Sequence, residues 1–280
     1  DMSNLRLGYN MRIYRPGIWY LNPYLNDTDP SYISQGNSEL DSEKSHAFNL
    51  SYSNFTQKFN INLSARYSFT NNSIENVTKL MPDTEIEGLK NPTGKDVLYS
   101  TYANIGKTRR ASVSAYVNWN ATPRTRIYMN MSGDYSYMEG SEGMRNDGWS
   151  LFAYGGAQQT LPHDWRISLN VFGQTPWIML QGKGSSFFDY GLSVNKSFLN
   201  KRLTLSAFAS NFFKKYMDQS STTEGAGFIR ESSYKYSRQR FGISVSYRIG
   251  ELKASVKKAA RTISNDDVKS GGSGSGGGGE

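Results

Sequence analysis

The stretch "FNINLSARYSF" (59–69) alternates without a slip. Phe59, Ile61, Leu63, Ala65, Tyr67 and Phe69 are apolar, and Asn60, Asn62, Ser64, Arg66 and Ser68 are polar. A period of two describes a strand with one oily face and one wet face. The pattern recurs in Leu5–Ile13, Phe48–Tyr52, Ala111–Trp119, Ile127–Tyr137, Trp165–Val171, Phe188–Val194, Leu203–Ala209 and Phe241–Ile249. With less regular segments around 149–160 and 99–106, the pattern predicts about ten strands. Amphipathic helices are scarce before residue 250.

Alternation alone does not say what covers the oily face, since two packed sheets would also bury one face of each strand. The connections discriminate. "NFTQK" (54–58), "TPRT" (122–125), "LPHD" (161–164) and "LNKR" (199–202) are tight, whereas 16–42, 78–96, 139–147, about 173–186 and 216–229 are longer. Short and long links alternate along the chain, as in a transmembrane barrel with short turns on one side and long loops on the other. A sandwich has no reason to sort its loops this way.

Aromatic placement agrees. Trp119 and Trp165 lie beside tight turns, and Tyr135 and Tyr137 lie toward a long loop. Together with Tyr247 they are the expected membrane girdle, amphipathic rings at both ends of an aliphatic band. Lys196 occupies the apolar parity between Val194 and Phe198. It stands near the LNKR turn, so its amine is expected to snorkel into the headgroups.

Composition narrows the alternatives. Cysteine is absent, which excludes a disulfide scaffold, thiol chemistry and cysteine-ligated zinc. No run approaches the roughly 20 apolar residues of a membrane helix. The chain opens at Asp1 without the charged start and apolar run of a secretory signal; the expectation is a removed signal or a piece of a longer chain. The net charge of +8 raises a nucleic-acid reading, but the tail from 251 nets only +1. The remaining positives, such as Arg66, Arg126, Arg166, Arg202 and Arg248, are spread along strands and loops without a basic run flanked by stacking aromatics. No nucleic acid is expected.

The last strand, "RQRFGISVSYRIG", carries Arg240, Gly242, Val245 and Tyr247 at spacings that resemble the C-terminal assembly signal of outer-membrane barrels. That signal usually closes a chain on an aromatic, and here Ile249 and a further tail follow. Residues 9–53 resemble the outer-membrane β-barrel family that forms the C-terminal part of TonB-dependent receptor-like proteins. The matching elements are Arg12-Ile13, Arg15-Pro16, Leu21-Asn22-Pro23, Asp29-Pro30, Gly36-Asn37, Leu40 and Glu43. Ser38 and Ser42 stand where that family often has prolines, and Met11 where an arginine is usual. "GLSVNKSFLNKRLTLSAFASNFFKK" (191–215) is similar to its late hairpin, and "NDD" (265–267) to its tail. The resemblance implies a Gram-negative outer-membrane location, contact with outer-membrane lipid, and a parent closing with about 22 strands around an N-terminal plug. That plug and the remaining strands would be partners of this chain, with the TonB system acting through the parent.

Chemistry is sparse. His46 and His163 are the two imidazoles, and no nucleophile-elbow, zinc or phosphate-loop signature appears. No enzyme activity, cofactor or metal is expected. In the first long loop, Trp19, Tyr20, Tyr24, Asp27 and Asp29 offer rings for stacking and carboxylates as hard oxygen ligands for calcium. The alternative, favoured here, is a loop that packs on its own rings.

The expected architecture is an all-β, antiparallel up-and-down transmembrane barrel segment over 1–250. A basic and then Gly/Ser-rich flexible periplasmic tail over 251–280 follows, in which 251–263 could form a short surface helix. The expected function is the barrel portion of a TonB-dependent receptor-like transporter, lining the passage and presenting loops for cargo. The alternatives are a small porin or structural barrel and, third, a barrel enzyme.

Overall fold

The computed structural model describes residues 2–250 and 268–269. Ten long strands form an antiparallel meander. They are β1 (Met2–Pro16), β2 (Glu43–Phe55), β3 (Phe59–Pro82), β4 (Asp96–Thr122) and β5 (Thr125–Glu139). β6 (Arg145–Leu161), β7 (Trp165–Gln174), β8 (Phe187–Phe198), β9 (Leu203–Ser210) and β10 (Arg240–Tyr247) follow. Each is hydrogen-bonded to the one before it. The fold is an all-β, antiparallel up-and-down sheet that is not closed among the described residues: β1 and β10 stand at opposite ends of the meander. Among the described residues, no helix is long and apolar enough to cross a membrane.

The links at 56–58, 123–124, 162–164 and 199–202 are tight and fall at one end. Thr56 closes the first, its Oγ1 donating to the Phe59 carbonyl at 2.8 Å. The third turns through left-handed His163 and Asp164, with φ of 62° and 58°, the geometry that matches the twist of hairpin strands.

The other end differs from the sequence expectation in three ways. The segment 99–106 is not a separate strand but part of β4. The link expected at 78–96 shrinks to 83–95, because β3 and β4 continue past register shifts at Thr70/Ser73 and Ser73/Ile74. The link 211–239 is longer than expected. It contains a hairpin, Tyr216–Gly225 with Phe228–Ser237, in a separate four-stranded sheet with Ile178–Met179 and Gly182–Lys183. One physical reason covers all three. Outside the lipid layer neither face of a strand must be apolar throughout, so the period of two is lost while the backbone stays extended.

The buried side chains gather at this long-loop end. Tyr20, Leu40 and Ile74 form one cluster; Ile33, Ile86 and Val97 a second; Met138, Ile178 and Leu180 a third. Along the ten strands the oily parity is bare. Leu7 is 79 % exposed, Val113 63 % and Ile243 81 %, and Ile61 and Val117 are half-buried. Among the described residues no second sheet covers these side chains, as a sandwich would require.

Of the tail, Val268–Lys269 pairs in parallel with Arg15 and Pro16 at the long-loop end of β1. The segments 251–263 and 265–267 lie outside the described residues.

Candidate functional site

The wet parity of the strands is a continuous polar wall. Pairing across β3 and β4 sets Ser64 against Ser114, with hydroxyls 2.6 Å apart. Across β4 and β5, Ser112 donates to Asp134, Arg110 Nε donates to Ser136 Oγ at 3.2 Å, and Arg126 Nε donates to Asn118 Oδ1 at 2.6 Å. Ser197 and Thr204 meet at 3.2 Å across β8 and β9. Cross-strand side chains on one face are close enough to pair directly, so a polar parity builds hydrogen-bonded ladders. Toward the long-loop end the wall carries an open concavity of about 570 Å³, whose lining includes Tyr14, Glu43, Arg66, Glu75, Arg110 and Asp134. Carboxylate, guanidinium and hydroxyl groups share this surface, which suits polar solutes and water.

Above the wall, the links fold into an ordered cap. Tyr32–Ser34 adds in parallel to the edge of β4 at Leu98–Ser100. Gln181 acts as a one-residue strand, accepting from Thr78 N at 2.7 Å and donating to Thr78 O at 2.9 Å. Asp83 is buried and accepts from Thr93 N at 2.6 Å, Thr93 Oγ1 at 2.8 Å and Gly94 N at 2.7 Å. These bonds, led by the Thr93 amide, hold its carboxyl below the usual carboxylate range. On the last link, Arg238 pairs with Asp189 of β8 at 2.9 Å and lies over the Phe187 ring at 4.3 Å.

The sequence candidates of the first loop separate. Tyr20 is buried and meets Tyr102 edge-on at 4.5 Å. Burial first, then the charge of Tyr102, Glu43 and Glu75, pushes its pKa up to about 12. It is a packing residue and is withdrawn from any ligand. Trp19 and Tyr24 are exposed at 68 % and 71 %, and Asp27 is exposed. Asp29 accepts from Ser31 N at 2.9 Å and Ser31 Oγ at 2.7 Å, and its pKa is lowered chiefly by the hydroxyl bond. Among the described residues, no group of three or more histidine or acidic side chains could hold a metal ion.

The motif residues that carried the resemblance latch this loop. Asn37 N donates to the Tyr20 carbonyl at 2.6 Å, and Asn37 Nδ2 donates to the Tyr102 carbonyl at 2.9 Å. Gly36 N donates to Asn22 O at 3.0 Å. A Cβ at Gly36 would stand 2.7 Å from the Tyr20 carbonyl oxygen. Buried Glu43 accepts from Ile74 N at 2.5 Å.

On the oily face, Trp119 and Trp165 lie at the tight-turn ends, Tyr247 pairs with Leu203 beside the LNKR turn, and Tyr135 packs on Trp149 toward the long-loop end. Tyr137 stands one step further out under Arg145, 4.8 Å from its ring centre. Lys196 reaches the tight-turn end: its amine donates to the His163 carbonyl and lies near the Trp165 and Phe198 rings. In the last strand, Gly242 lies on the wet face under the Phe208 ring, which a Cβ would strike. Sequence reading missed the part played by His46. It sits on the oily face, stacked on Phe69 at 4.9 Å, with Tyr9 Oη 2.8 Å from Nδ1. Its even number matches Phe48, Leu50 and Tyr52, and that parity was the available signal. His46 and His163 fall at opposite ends of the strands.

A family model described as "Outer membrane protein beta-barrel family" matches residues 1–247. No curated protein matches. A solved structure described as "Copper transporter OprC" is similar over 88 % of this chain, with a TM-score of 0.58 and 14 % identity. The chain spans 38 % of that protein. At this identity the likeness carries the fold alone. With bare lipid-facing strands, a polar wall and a match over nearly its whole described length, the chain belongs to the outer membrane protein β-barrel family, and its place is the outer membrane.

Proposed function

We propose that this chain is the C-terminal barrel portion of a TonB-dependent receptor-like transporter, its polar wall lining a passage and its cap contributing to cargo capture. The observation that carries this reading is the pair of unjoined sheet edges. Ten tilted strands are enough to close a barrel, since bacterial barrels begin at about eight. Among the described residues β10 ends the sheet, and the side of β1 away from β2 pairs with Val268–Lys269 alone. Open edges are a liability that further strands of a larger barrel would remove. The likeness to a longer solved transporter supports the same reading. In it, Trp119, Trp165, Tyr135, Tyr137 and Tyr247 form girdles at the two interfaces, and β10 ends on the periplasmic side, where Tyr247 pairs with Leu203. Arg240, Gly242, Val245 and Tyr247 form an assembly signal, and the exposed Trp19, Tyr24 and Asp27 are the first-loop residues offered to cargo. The protein acts by transport and not by catalysis. An N-terminal plug would couple the parent to TonB.

The test is uptake by cells expressing the parent protein, with and without TonB, alongside sequencing of the parent upstream of Asp1. Expected are an upstream plug and uptake that stops without TonB. A steady ionic conductance in planar bilayers from this chain alone, with no upstream plug, would favour the small porin and defeat the proposal.

A further inference from the structure

The lipid-facing parity of the ten strands carries very little charge. Between the Lys196 level at the tight turns and the long-loop end, it presents aliphatic and aromatic side chains across β1–β10. Charge then appears abruptly over β2–β6. In register, His46 faces Phe69, Phe69 faces Arg109, Arg109 faces Tyr137, and Tyr137 faces Asp147. One step further out, Lys107 faces Glu139, and Glu139 faces Arg145. Lys44 stands on the same side of β2, two residues beyond His46. Lys44, Lys107, Arg109 and Arg145 are all exposed, and among the described residues none of them sits in an ion pair. The two carboxylates at this rim do not cancel them. Asp147 is already bonded to the Tyr135 hydroxyl at 2.8 Å, and the four cations outnumber the pair.

An aromatic shelf lies level with Arg109 and one step inside Lys44, Lys107 and Arg145. His46 lies between Tyr9 and Phe69, stacked on each, and Tyr135 packs on Trp149. Below the shelf the wall is Leu63, Val113, Met129 and Met131. The order from outside inward is therefore cation, ring, hydrocarbon. An amphiphile whose anionic head sits at the rim and whose chains run down the wall has the complementary order.

We infer that this rim seats the phosphorylated headgroup of a lipid in the leaflet on the long-loop side, with Lys107 and Arg109 as its main phosphate contacts and Lys44 and Arg145 flanking them. Guanidinium and ammonium groups form charge-assisted bonds to phosphate oxygens, and basic residues at a membrane surface gain appreciably from anionic headgroups. The apolar wall beneath commits the site to a lipid, since a soluble phosphate would leave the wall unexplained. The inference rests on the lipid-facing assignment and is independent of cargo.

The experiment is native mass spectrometry of the intact barrel in a zwitterionic detergent, titrated with bisphosphorylated lipid A and with its dephosphorylated form. Lys107→Gln with Arg109→Gln is expected to weaken binding of the phosphorylated form by roughly ten- to thirtyfold. The control pair Lys58→Gln with Arg124→Gln removes the same charge at the tight-turn end and is expected to change it less than about threefold. Lys44→Gln with Arg145→Gln supplies an independent pair should the first fail to fold. An equal loss in the control pair, no loss in either rim pair, equal binding of the dephosphorylated lipid, or full displacement by inorganic phosphate would each overturn the assignment.

Discussion

Single residues show how the two faces of each strand are policed. Glycines on the wet face make room for rings from the neighbouring strand. A Cβ at Gly156 would stand 2.6 Å from the Tyr128 hydroxyl, and one at Gly242 would enter the Phe208 ring. Laying an aromatic ring over a cross-strand glycine is a recognised device for pinning sheet register. Gly242→Ala is therefore expected to destabilise the barrel by about 1–3 kcal/mol in urea unfolding. Adding Phe208→Ala should recover much of that loss, because the clash and the ring go together. If the double variant is no better than the single, Gly242 acts through assembly and not through packing. On the oily face the cost of charge depends on depth. Leu169→Lys is expected to cost roughly 2–4 kcal/mol, whereas Lys196→Met should stay within about 1 kcal/mol. Equal effects in folding titrations would contradict the lipid assignment.

At the scale of elements, the cap is held by polar bonds and backbone closeness as much as by its three apolar clusters. Asp83 ties the 83–95 link through bonds to its ionised form. A carboxyl with a lowered folded pKa stabilises above its unfolded value near 4 and loses that contribution as pH falls through the lower folded value. Limited proteolysis of the 83–95 link should therefore accelerate on acidification below about pH 4, and Asp83→Asn should show the faster cleavage already at neutral pH. Tyr20 has the opposite sign. Its folded pKa is raised to about 12, so its contribution is complete below the ordinary tyrosine value near 10 and fades as pH climbs toward the folded value. Tyr20→Phe should make the first loop less sensitive to alkali when Trp19 fluorescence is followed. The motif glycine Gly36 lies against the backbone of residues 20–22. The resemblance was legible in Gly36, Asn37, Leu40 and Glu43, but their task of latching the loop was not, because their partners Tyr102 and Ile74 are distant in sequence.

For the whole molecule, the meander leaves two sheet edges among the described residues, β10 and the part of β1 before its Val268–Lys269 pairing, and such edges promote association between chains. The chain refolded alone is expected to associate or to close imperfectly, giving a broad elution profile on size-exclusion chromatography in detergent. A monodisperse species resistant to heat in gel-shift assays would show that ten strands suffice and would remove the argument for a larger parent. The same open geometry explains why the wall reads so clearly in sequence while the cap does not. Residues 59–69, 111–119 and 165–171 answer to lipid on one side and water on the other, and that constraint acts on every second residue. Residues 70–82, 96–106 and 216–237 answer to neighbours contributed by other loops.

Alternation along the chain, together with the lengths of the links and the placement of the aromatics, was enough to set the strand class, the up-and-down order, the sorting of short turns from long links, and the face turned to lipid, since each depends on spacing over a few residues. Register shifts near Ser73, the strand-like use of Gln181, the burial of Tyr20, the aromatic seat of His46 and the concentration of cations at the rim over β2–β6 emerged only with tertiary structure. Those features depend on which residues meet across strands and loops, and contact between segments far apart in sequence leaves no periodic trace in either one.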